Sequence, residues 1–102
     1  MKTRAKRVVA VAWYSPDQWQ RLLEVSADAD LLEKTHEEWL VAAQQAFDEI
    51  VASGVVPIKV PIEIQDLIDW CHDRNMFIDA QARADYVIKV LKRGSPNLEA
   101  GT

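Results

Sequence analysis

Residues 55–62, Val-Val-Pro-Ile-Lys-Val-Pro-Ile, constrain this chain more than any other segment. Val56, Ile58, Val60 and Ile62 alternate with Pro57, Lys59 and Pro61, the period-two pattern of a half-buried strand. Proline has no backbone N–H, and residues an even number apart in a strand turn their N–H groups to the same side. Pro57 and Pro61 therefore strip two donors from one edge. That edge cannot carry a ladder, so the segment is expected at the edge of a sheet.

The other strand candidate has the opposite character. Arg7 to Trp13 is rich in β-branched and aromatic residues. Val9, Val11 and Trp13 lie on one face, Val8, Ala10 and Ala12 on the other. A strand apolar on both faces is usually covered on both. One central strand and one edge strand leave a side of the first without a neighbour. Either a helix covers that side, or the strand pairs with its copy in a second subunit, giving a four-stranded sheet across a two-fold axis. The homodimer is the expected outcome, with Val9 and Val11 as interface candidates.

Helix signals fill the rest. Ser15-Pro16-Asp17-Gln18 is a start: Ser15 caps, Pro16 suits the first position, and Gln18 is expected to complete a capping box. Trp19, Leu22, Leu23 and Ser26 follow on one face, with Trp19 as a core anchor. Residues 27–34 form an Asp-rich connection with room for a short helical turn. Thr35 and Glu38 make a second capping box, opening a helix with Trp39, Ala43, Ala46, Phe47 and Ile50 on a stripe and Gly54 as its left-handed stop. Ile64, Leu67, Ile68 and Cys71 line a third helix ending near Asn75, with Trp70 on its shoulder. Asp79 caps a fourth, with Ala80, Ala84, Val87, Ile88 and Leu91 expected inward and Gly94 at its end. Tyr86 and Val90 form a second stripe there. With Trp70 they are further interface candidates, or alternatively intrachain core.

The fold expected is a helix-rich α+β domain of two short strands and about four helices, in the order β-α-α-β-α-α. At 102 residues, 49% hydrophobic and 27% charged, one globular domain over residues 1–94 accounts for the chain. Residues 1–6 read as a frayed basic arm and 95–102 as a flexible tail.

Charge narrows the partners. Residues 15–85 carry fifteen acidic and five basic side chains, inside a net charge of −4. Such a surface repels nucleic acid, whose binding rests on neutralised phosphates. Only the basic arm, Lys2, Arg4, Lys6 and Arg7, offers a nucleic-acid accessory role as an alternative. The arm and Val8–Val11 also fall short of a secretory signal, whose apolar core runs roughly 7–15 residues. No apolar run approaches the ~20 residues of a membrane-spanning helix. A lone Cys71 fits a reducing compartment. A cytoplasmic protein with no membrane contact is expected.

Chemistry-bearing residues are few. Cys71 with His72 and His36 is the sole nucleophile–base candidate, and the same three with Glu37, Asp69 or Asp73 are the alternative as a metal-binding set. Asp69 with His72, and Glu33 with His36, stand three apart, a spacing that lets two helical side chains face one ion. Against this, Cys71 sits on the apolar stripe of an acidic helix, and neighbouring carboxylates and burial both disfavour a thiolate. Adjacent helical residues also point ~100° apart, so His72 does not face Cys71. Asp28-Ala29-Asp30 opens like a calcium loop, but Glu33 stands at its glycine position and Trp39 at its terminal glutamate. No glycine-rich phosphate loop exists. No cofactor and no metal are expected.

Ala12-Trp13-Tyr14-Ser15-Pro16-Asp17-Gln18-Trp19, Thr35-His36-Glu37-Glu38-Trp39-Leu40 and Asp69-Trp70-Cys71 together resemble a group of short, uncharacterised bacterial proteins over about residues 8–92. The shared features are caps, Trp anchors and a helical Cys. The resemblance implies no activity and assigns no functional residue. A small non-enzymatic protein working through protein contacts is the leading expectation.

Overall fold

The computed structural model describes residues 7–94. Its elements are β1 (Val8–Trp13), α1 (Pro16–Val25), a 3-10 turn (Ala29–Leu31), α2 (His36–Ala52), β2 (Val56–Pro61), α3 (Ile64–Asp73) and α4 (Ala80–Gly94). The expected helix-rich α+β order is thus the observed one. The basic arm and the tail lie outside the described residues.

The two strands are parallel, with Val8 beside Val56 and Trp13 beside Pro61. The Val56 N–H donates to the Arg7 carbonyl at 2.8 Å, and the Ile62 N–H to the Trp13 carbonyl at 3.2 Å. Even-numbered residues of β2 therefore face β1, and Pro57, Lys59 and Pro61 face outward. β2 is the edge strand its prolines require. α2 lies over one face of the sheet, where the Lys59 ammonium sits 4.3 Å from the centre of the Trp13 ring and 5.0 Å from that of Phe47. α4 packs on the other face, where Ala10, Ala12 and Ile58 meet the core.

The core joins the end of β2 to the helices: Tyr14, Trp19, Leu22, Val60, Ile62, Ile64, Leu67, Cys71, Ala82, Tyr86 and Val87 are buried. Leu22, Ile64 and Leu67 have no exposure, and burying such a side chain contributes about 1.5–3 kcal/mol.

The caps hold, but their side chains go to different partners. Ser15, Thr35 and Asp79 accept from the N–H of Gln18, Glu38 and Ala82. Gln18 does not return to Ser15. Its Oε1 accepts from the Ile64 N–H at 2.6 Å, at the start of α3, where Glu63 supplies no side-chain cap. Glu38 reaches past Thr35 to the Lys34 N–H at 3.2 Å. Gly54 (φ 91°) and Asn75 (φ 54°) take left-handed backbone after α2 and α3.

α4 presents a different face from the one expected. Val87 and Leu91 turn inward, but Ala80, Ala84 and Ile88 are exposed, and Ala82 and Tyr86 are buried instead. The reason is tertiary. Trp70 of α3 packs on Tyr86, and Arg83 is drawn inward to Asp28. Ala46 of α2, expected on the buried stripe, is likewise exposed.

Candidate interaction surface

Among the described residues, β1 is covered on one edge only. The carbonyls of Arg7 and Trp13 are spent on β2, so the odd-numbered backbone groups of β1 face that strand. The N–H and C=O groups of Val8, Ala10 and Ala12 point the other way. Among the described residues no second strand pairs with them, since the sheet holds β1 and β2 only. An open edge of this kind is a template for another strand.

Apolar surface accompanies the open edge. Val8 and Val9 are 44% and 38% exposed. Beside them lies a hollow of about 390 Å³ lined by Arg7, Val8, Val9, Ile50, Ser53 and Val55. α2 buries none of its 17 residues fully, and Val41 and Val51 are largely exposed.

The remaining interface candidates divide. Val11 is half-buried on β1. Tyr86 is buried in the chain's own core, its ring 5.4 Å from that of Trp70. Val90 packs half-buried against the same core. The Arg74 guanidinium covers the Trp70 ring at 4.6 Å. The Trp70 Nε1 is buried without a hydrogen-bond partner.

His36, Cys71 and His72 occupy unlike environments. His36 opens α2, its Nε2 2.7 Å from the Tyr14 carbonyl oxygen. Since a carbonyl only accepts, Nε2 is the protonated nitrogen. The His36 ring also lies against Trp39 at 5.3 Å. Cys71 is buried on α3, and burial, reinforced by Asp79, pushes its thiol pKa up. His72, its neighbour in sequence, is exposed. Among the described residues no three His, Cys, Asp or Glu side chains converge where they could hold a metal ion.

One cluster was not foreseen from the sequence. Trp39 is the hub of an aromatic group, with Trp13 at 5.2 Å, Tyr14 at 5.3 Å and Trp19 stacked at 5.3 Å. The Trp19 indole N–H donates to the Glu33 carbonyl at 3.2 Å. Burial raises the Tyr14 hydroxyl pKa to about 12, against a smaller opposing pull from Arg83. The spacing of these aromatics along the chain carries no sign of their meeting. The group binds α2 to the C-terminal end of β1 and the start of α1.

No family model, curated protein or solved structure matches the chain. Among the described residues, no helix is long and apolar enough to cross a membrane.

Proposed function

We propose that this is a non-enzymatic cytoplasmic protein that acts through protein–protein contacts, as a homodimer built on β1. One observation carries the reading: the two outer edges of the sheet differ. β2 turns Pro57 and Pro61 outward, whereas β1 turns three unblocked residues outward beside exposed Val8 and Val9. A partner strand on β1 satisfies those backbone groups and covers that apolar surface together. The burial of Cys71, which disfavours its thiolate, speaks against a cysteine nucleophile at that position, and the lone thiol supports a reducing compartment.

The test is the mass of the untagged protein in solution, by native mass spectrometry and by light scattering across a concentration series. Twice the chain mass supports the reading. A strict monomer at the highest concentration removes it. Val9→Lys places a charge on a partly exposed position that a monomer tolerates. It is expected to shift the dimer toward monomer with unchanged circular dichroism.

A further inference from the structure

We infer that the second copy of the chain pairs antiparallel with β1 in one frame, with Ala10 opposite Ala10 on the two-fold axis. The inference rests on the homodimer reading above and assigns its geometry.

Identical surfaces that meet across a two-fold must run antiparallel when the contact is a strand edge. In an antiparallel pair, residues that turn their backbone groups toward the partner face each other in hydrogen-bonded pairs. On β1 these residues are Val8, Ala10 and Ala12. Centring the axis on Ala10 sets Val8 against Ala12 of the second copy, Ala10 against Ala10, and Ala12 against Val8. All three residues then give both their N–H and C=O, so six hydrogen bonds form. Sliding the pairing two residues either way leaves one of the three unmatched within the strand.

Side chains favour the same frame. Val9 comes opposite Val11 of the second copy at the close, non-hydrogen-bonded positions, where Cα atoms lie about 4.5 Å apart and β-branched pairs stabilise a sheet. The pair occurs twice, on the face where Val9 is exposed. On the other face the pairs are Val8 with Ala12 and Ala10 with Ala10, small residues beneath α4. The strand order becomes β2-β1-β1-β2. Both outer edges then carry Pro57 and Pro61, so the sheet closes at two copies and does not extend.

Single cysteines at positions 8, 9, 10, 11 and 12, in a Cys71→Ala background, read the frame by oxidative cross-linking. Ala10→Cys is expected to cross-link fastest, because only position 10 meets itself. A maximum at 8, 9, 11 or 12 overturns the frame while the dimer stands. A monomer by mass overturns the homodimer reading instead. Should Cys71→Ala fail to fold, filtered NOE spectra on the natural sequence, mixed labelled and unlabelled, give the same answer. A Val9–Val11 contact between copies supports the frame; a dimer without it does not.

Discussion

Arg83 grips Asp28 with both prongs, Nη1 on Oδ1 at 2.9 Å and Nη2 on Oδ2 at 2.7 Å. The pair joins α4 to the segment after α1, and both side chains are largely shielded from water. The Arg83 hydrogen bonds hold the Asp28 carboxyl below its ordinary pKa, against the opposing effect of burial. Burial likewise works against the Arg83 charge, but Asp28 outweighs it and the guanidinium pKa rises. An unfolded Asp28 regains the ordinary value near ~3.9 and binds a proton more readily than the folded one. The stabilisation is therefore complete above that value and lost as pH falls through the lower, folded one. The urea midpoint is expected to drop on acidification below about pH 5. Asp28→Asn should cost about 1–3 kcal/mol at neutral pH and flatten that drop. An unchanged acid profile in the variant would falsify this role for the pair.

Gln18 stabilises a helix it does not belong to. Its Oε1 caps the Ile64 N–H of α3. Gln18→Ala is expected to cost about 1 kcal/mol, as a lost cap does. Hydrogen exchange distinguishes the two helices. The Ile64 amide should lose protection while the Leu22 and Leu23 amides of α1 change little. Loss confined to α1 would mean that Gln18 serves its own helix.

The Cys71 thiol should be slow to modify. Burial and the nearby Asp79 both disfavour its thiolate. A disulfide reagent at neutral pH is expected to label native protein only at the rate at which the protein opens, and to label it at once in denaturant. Rapid stoichiometric labelling of the native protein would show that the site is accessible after all.

Pro57 and Pro61 should limit assembly. Pro57→Thr with Pro61→Thr restores two outward donors to β2 while leaving its hydrogen bonds to β1 intact. The double variant is expected to form species larger than two chains at concentrations where the natural sequence does not. Sedimentation velocity reads the difference directly. An identical distribution would assign the limit to something other than the prolines.

What could be read from the sequence depended on how local the cause was. Proline's missing N–H acts wherever the residue stands, so the edge character of β2 was legible. The same is true of Ser15, Thr35 and Asp79, whose side chains cap within their own turn. The outward face of α4 was not legible, because Ala80-Ala84-Ile88 and Ala82-Tyr86-Val90 are both apolar stripes. Trp70 and Asp28, distant in sequence, decide between them. Gln18 and Glu38 matched a local motif but found other partners, Gln18 because α3 begins without a capping side chain of its own. Of the candidate surface, the two apolar faces of β1 were plain in the pattern. Which of its backbone groups point outward depends on its register with β2, which no single segment specifies.

The cap that Gln18 provides also bears on how the molecule comes apart. The chain divides naturally at Gly54 into two stretches, each a strand followed by helices. Gln18 ties the first to the second at Ile64, Arg83 ties the second back at Asp28, and the Ala27 N–H donates to the Ile78 carbonyl at 2.8 Å. Neither stretch keeps its polar groups satisfied without the other. Severed at Gly54, the pieces should be unstructured singly and regain their helices on mixing. The intact protein should melt in a single cooperative step.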